Sequence, residues 1–212
     1  MLLAACYLLL AVVSCTPKRA ALPDYTGIDV RQVIAERGII ESVETTFSVE
    51  FERDESTITG DAALKLTDNT LELRIYSFGL LVAEVAESEG VIKSSPEMSR
   101  NKSIILVDGL RNSILWWRIK NYDVERQNKT YRLTNSYQEI LIDKETMLPV
   151  SQTIEIDDGR QLRITYEEPM SKGKFWYPSK MKIELSRYIV RLQIKNINFI
   201  HHSGQGQQQQ TL

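Results

Sequence analysis

A mainly β, α+β fold is what this sequence predicts: an incomplete antiparallel β-barrel of roughly ten to twelve strands, closed by a helical plug or lid. Three observations lead there. From Val43 onward apolar and polar residues alternate with a period of two, the pattern of strands with one buried face. Turn-forming pairs interrupt the alternation at intervals of roughly 8–12 residues, as in an antiparallel sandwich or barrel. Only two stretches carry helical spacing, so most of the chain is sheet. A sheet with one wet face must bury the other by curling on itself or by taking a cover.

The elements follow in chain order. Residues 1–14 read as a signal peptide: the run MLLAACYLLLAVVSC is uncharged and apolar, and the first charged side chain is Lys18. It is shorter than the roughly 20 residues that span a bilayer and matches the apolar core of a secretory signal. Residues 15–27 read as a polar, Pro-containing tether. Asp29 to Ile40 predicts an amphipathic helix, with a capping-box pattern at Asp29 and Gln32 and a stop at Gly38. Val30, Val33, Ile34 and Arg37 share one of its faces.

Strands follow. Phe47, Val49 and Phe51 alternate with Ser48, Glu50 and Glu52; then come Ile58, Ala62, Leu64 and Leu66, next Leu71, Leu73 and Ile75, and next Leu81, Ala83 and Val85. Asp54-Glu55, Asp68-Asn69, Phe78-Gly79 and Glu89-Gly90 separate them. Ser99 to Arg118 predicts the cover, with Ile104, Val107, Leu110, Ile114 and Trp117 at helical spacing. Gly109 inside it costs about 1 kcal/mol against Ala, so Asp108-Gly109 is expected to split it into two short helices; Ser103 to Val107 alone equally suits a strand. Trp116 and Trp117 side by side cannot both face one core from a helix. Lys129 to Asn135, Tyr137 to Asp143, Val150 to Ile156, Gln161 to Glu167, Lys180 to Arg187 and Ile189 to Ile200 complete the strands, with Asp158-Gly159 a strong hairpin signal. One domain is therefore expected over residues 28–200, followed by a low-complexity, disordered Gln-rich tail over 201–212.

Composition bounds the function. The 212 residues are 42% hydrophobic and 25% charged, which excludes a disordered chain, a collagen and a polytopic membrane protein. Lys plus Arg is 26 against 28 Asp plus Glu, a net charge of −2, which argues against nucleic acid as a partner. Both cysteines lie in the first 15 residues, and the only two histidines are His201 and His202. A Ser-His-acid or Cys-His site and a His/Cys zinc site therefore lack their residues, so the chain is read as no enzyme, with no catalytic residue, metal or cofactor. The carboxylate pairs Asp157-Asp158 and Glu167-Glu168 sit at a hairpin turn and a strand end, where they are bland. Lys172, Lys174, Lys180 and Lys182 form a basic stretch: either a solvated face, or a surface for lipid phosphates or an acidic partner. Phe78 with Gly79 and Leu80 puts a large apolar side chain at a hairpin tip, where polar residues are usual.

Val12-Val13-Ser14-Cys15 resembles the lipobox of bacterial lipoproteins, in which the Cys thiol receives a diacylglyceryl group, the peptide is cut before it and the new amine is acylated. The earlier match at Cys6 has no apolar core before it. The resemblance makes Cys15 the lipid anchor, and Thr16 in place of an Asp points by analogy with enteric bacteria to the outer membrane. The run Leu71–Val85 (LELRIYSFGLLVAEV) resembles the protruding apolar hairpin of the LolA/LolB superfamily, most closely its LolB branch. Gly109–Trp116 (GLRNSILW) is similar to that family's short helix, and Asp158–Tyr166 (DGRQLRITY) with Tyr177-Pro178 to its C-terminal half. The tip departs from the pattern in having Phe for Leu and no Pro, and Trp117 and the Gln-rich tail have no counterpart.

The resemblance implies an outer-membrane, periplasm-facing, lipid-anchored protein, monomeric, that binds acyl chains of lipoproteins or lipids and assists their localisation, with a periplasmic LolA-like carrier as partner. Phe78, Gly79 and Leu80 would form its membrane or cargo-transfer loop. The strand faces would line an apolar cavity through Phe47, Val49, Phe51, Leu73, Ile75, Val85, Ile154, Leu162, Ile164, Ile183, Leu192 and Ile194, with Leu110, Ile114 and Trp117 from the cover. Apolar walls with few convergent polar groups bind chains and do no chemistry. The alternative is a structural or assembly lipoprotein whose sheet packs dry on its helices and whose surface docks a protein.

Overall fold

The computed structural model describes residues 22, 25, 27–54, 56–156 and 159–201. Five strands come first: β1 (Ile40–Arg53), β2 (Ser56–Thr67), β3 (Thr70–Ser77), β4 (Leu80–Ser88) and β5 (Val91–Ser95). Seven follow the cover: β6 (Asp123–Arg126), β7 (Thr130–Thr134), β8 (Gln138–Asp143), β9 (Pro149–Glu155), β10 (Gln161–Lys172), β11 (Phe175–Leu185) and β12 (Tyr188–His201). They form one twelve-stranded sheet in the order β5-β4-β3-β2-β1-β12-β11-β10-β9-β8-β7-β6. Each neighbouring pair is antiparallel, so the sheet is two meanders joined where β1 pairs with β12. Its edges, β5 and β6, are the two strands that flank the cover in sequence. The 27 residues between them in the chain, 96–122, thus cross the open side of an incomplete barrel.

The alternation sets which face is inside. On β1, Val43, Phe47 and Val49 are buried while Glu41 and Thr46 are exposed. On β12 the inward residues are Val190, Leu192 and Ile194, and beyond them the parity switches to Ile197. The cause is a β-bulge: Thr46 pairs with Asn196 but Phe47 with Ile194, which leaves Lys195 extra. One extra residue flips every later side chain to the other face, and this turns Phe199 toward the core, against Trp117.

The first helix, α1 (Val30–Arg37), is shorter than expected and buries the expected face: Val30, Val33, Ile34 and Arg37. The capping box does not form. The Asp29 carboxylate accepts from the Arg31 N–H at 2.8 Å instead, and the chain leaves the helix in time for Ile40 to start β1. The cover is helical throughout: α2 (Arg100–Ser103), a π-helical turn (Ile104–Asp108), α3 (Gly109–Ile114) and a 3₁₀ turn (Trp116–Arg118). Gly109 does not break it. A Cβ there would meet Ile183 Cγ2 at 2.8 Å, so the glycine lets the cover lie close on β11, and the π turn just before it absorbs the distortion.

The strand pattern differs from expectation in two places. β5 and β6 are additional, because short exposed edge strands carry no one-sided burial to read. β10 and β11 run further than expected, through Pro169 facing Pro178. Neither proline has an N–H to give the ladder; beside them the Ser179 hydroxyl donates to the Glu168 carbonyl at 2.9 Å.

Candidate functional site: an apolar tip, a closed cover and a buried guanidinium

The β3–β4 hairpin is closed by two residues, since Ser77 pairs with Leu80. Phe78 has φ 51° and Gly79 φ 79°, the two positive values of a type I′ turn. Glycine adopts them freely; a phenylalanine does so at a cost of about 1–2 kcal/mol. Phe78 is also fully exposed, at 103%, and Leu80 follows at 70%. Leu81 and Val82 are exposed beyond it, and β5 pairs with β4 only from Glu84 to Ser88, so this stretch has no strand partner on that side among the described residues. Ser77 Oγ donates to the Thr59 carbonyl at 3.3 Å, which sets the exposed Ile58 of β2 beside the tip. The loop singled out from the sequence is therefore the apex of exposed apolar side chains on β2 and β4.

The residues expected to line a cavity do face inward and belong to one core, with Phe51 and Ile75 only partly buried near the tip end. Val85, Leu162, Ile164 and Ile183 have no accessible surface at all, so none of them borders a void the size of a water. The cover fills the space between the walls. It is pinned there by Arg111, which pairs with the buried Glu87 of β4 and donates to the Asp68 carbonyl at 2.7 Å. Glu87 in turn accepts from the Gly90 N–H at 2.9 Å. Arg118 pairs with Asp68 at 2.9 Å and reaches the Ile40 carbonyl. A buried polar contact lies on the wall itself, between neighbouring strands: Tyr166 of β10 donates to Gln152 Oε1 of β9 at 2.6 Å, and burial pushes the Tyr166 phenol well up.

Trp116 and Trp117 are both buried, contrary to the expectation that one must face elsewhere. The α-helix ends at Ile114, and Leu115, at φ −100° and ψ 37°, redirects the chain into the 3₁₀ turn. The two rings then meet edge to face with centroids 5.8 Å apart. Between them and β11 lies Arg37, only 3% exposed. Its Cζ is 5.0 Å from the Trp116 ring centroid and 5.5 Å from that of Trp117, and Nη2 donates to the Trp176 carbonyl at 2.6 Å. Burial pulls this guanidinium down to about 10, against the opposing pull of Tyr25 and Glu36, so it is still charged at neutral pH. Sequence reasoning did not assign this cluster; its signal was an Arg on the apolar face of a helix.

The remaining candidates are dispersed. Cys15, Asp157, Asp158, His202 and the Gln-rich tail lie outside the described residues. His201 ends β12 opposite Ile40. Of the basic stretch, Lys180 pairs with Glu168 at 2.7 Å and Lys182 with Glu184 at 2.8 Å. No group of three or more His, Cys, Asp or Glu among the described residues is placed to hold a metal.

No protein-family model matches this sequence, and no curated protein matches it. The fold does match solved structures. A LolA superfamily protein from Nitrosomonas europaea superposes with a TM-score of 0.55 at 13% identity, over 80% of this chain and 93% of that one. A DUF1329 family protein from Desulfovibrio piger superposes with a TM-score of 0.50 at 11% identity, over 88% of this chain and 96% of that one. At such identities the likeness is one of fold: an open antiparallel sheet wrapped around a helical cover.

Proposed function

We propose that this chain is a LolB-like lipoprotein of the outer membrane, anchored through Cys15 and facing the periplasm. It takes acyl chains of lipoproteins or lipids between its sheet and its cover and releases them at the Phe78 tip, as a carrier rather than an enzyme. A periplasmic LolA-like carrier is its proposed donor. The observation that carries this reading is Phe78. Its ring forgoes roughly 1.5–3 kcal/mol of burial and its backbone sits in the left-handed region. Both penalties fall on one residue at the apex of an exposed apolar patch, and entry into an acyl layer or a partner's mouth would offset them.

Loading then requires the cover to part from the wall. At the tip end of the interior Phe51 and Ile75 are half-buried, while Arg111 and Arg118 hold the cover to the sheet away from the tip. Binding of a fluorescent acyl probe, displaced by unlabelled fatty acid, tests the reading. A titration with no saturable probe binding would favour a second one, that of an assembly lipoprotein docking a protein through the same tip. The closed interior, with wall residues of zero accessibility, is the observation on that side.

A further inference from the structure

Two of the three tryptophans of the chain, Trp116 and Trp117, hold their rings against one guanidinium, and the third, Trp176, gives it a backbone carbonyl. Arg37 Nη2 has the Trp176 carbonyl, but among the described residues its Nε and Nη1 have no acceptor, and neither have the indole nitrogens of Trp116 and Trp117. Among the described residues no carboxylate forms an ion pair with Arg37; its nearby titratable groups are Tyr25 and Glu36. Buried donors are nearly always hydrogen-bonded, and buried charges are nearly always paired. Here one positive charge and four donor nitrogens without an acceptor among the described residues lie at the end of the apolar interior. A set made only of donors is complementary to a group made only of acceptors, and an ionised carboxylate is such a group.

The surroundings point the same way. A surface hollow of about 290 Å³ is lined by Lys172, Lys174, Phe175, Phe199 and His201, among others. Unlike Lys180 and Lys182, these two lysines have no carboxylate partner among the described residues: Lys172 Nζ touches Asn196 Oδ1 at 3.5 Å, and Lys174 Nζ sits 5.1 Å from the Phe175 ring centroid. Phe199 separates the hollow from the cluster, its ring centroid 6.4 Å from that of Trp117. His201 Nδ1 on the same rim is buried without a partner as well. Positive charge outside, an aromatic partition and an uncompensated guanidinium behind it make a graded path for an anion.

We propose that Arg37 binds the carboxylate of a free fatty acid that enters past Lys172 and Lys174 and lays its chain along the interior. This site presupposes the acyl-binding interior proposed above, and it adds a preference for a charged head over a neutral ester.

The test is a titration of the full chain carrying Cys15→Ser with dodecanoate and, separately, with methyl dodecanoate. Tryptophan fluorescence is the readout, since two of the three tryptophans, Trp116 and Trp117, have their rings at the site. Dodecanoate is expected to bind roughly tenfold or more tightly than its ester, the ratio that one charge-assisted hydrogen bond to a buried group supplies. Arg37→Met should abolish the preference while leaving ester binding in place, and Arg37→Lys should keep part of it. Equal affinity of the two ligands, or an Arg37→Met protein that still prefers the acid, overturns the carboxylate site and leaves the acyl-binding reading standing. Saturable binding of neither ligand overturns both.

Discussion

The β3–β4 tip and the Arg37 cluster break the same rule in opposite directions. At the tip an aromatic ring stands fully in water on a left-handed backbone; at the cluster a charged guanidinium is shut against two tryptophan rings without a counterion among the described residues. Neither arrangement stabilises the isolated chain. The tip lacks an apolar surrounding, which only something outside the molecule can supply. The cluster lacks an acceptor, which only something admitted to the interior can supply. Sites that local rules would have designed away are where function is expected, and here the two sites call for the two halves of an amphiphile.

The comparison can be broken by mutation, beginning with the largest effect. Trp116→Ala removes a fully buried ring from the cluster and leaves a cavity at the end of the cover. A loss of about 3–5 kcal/mol is expected, a fall in Tm of roughly 10 °C for a chain of this size, readable by calorimetry. A change of only a degree or two would mean that the cover is not closed in solution.

Arg37→Met should move stability the other way, or leave it unchanged. Removing a buried charge relieves its desolvation cost, partly offset by the lost bond to the Trp176 carbonyl and the lost contacts with the Trp116 and Trp117 rings. The sign of its pH dependence follows from the guanidinium value of about 10. Below 10 Arg37 is protonated in both states and its burial penalty is constant. Between about 10 and the ordinary guanidinium range the folded state gives up the proton first, so that penalty fades as pH rises. The advantage of Arg37→Met should therefore be level near neutrality and shrink above pH 10. Urea midpoints of the two proteins along that range check it, and a destabilised Arg37→Met at neutral pH would show the charge to be compensated.

Phe78→Gly has a smaller expected effect. Glycine fits the type I′ turn without strain, and no packing is lost, so a gain of about 1 kcal/mol is expected. A clear loss of stability would place the ring against the sheet rather than in water.

The sequence made these two regions unequally legible. The tip was readable because a turn signal and an apolar residue coincided at Phe78-Gly79. The cluster was not, because an Arg in the last turn of a helix also reads as a favourable partner of the helix dipole, and because Leu115 ends α3 in a way that helical spacing does not foresee. The sheet shows the same division. Strands that bury one face, from Phe47 through Ile194, declare themselves by alternation. β5 and β6 bury neither face, and the facing Pro169 and Pro178 look like breaks although the pairing runs past them. The closed interior was the least visible feature, since alternation tells which side chains point inward and not whether they meet the cover.

The most direct measurement compares Phe78→Glu with the native chain in Tm and in the rate at which acyl-modified cargo passes from the protein into vesicles. The ring touches nothing, so the account predicts a stability within about 0.5 kcal/mol of native together with a marked loss of transfer, because a charge at the apex opposes entry into the acyl layer. A melting temperature lowered by many degrees with transfer intact would contradict it.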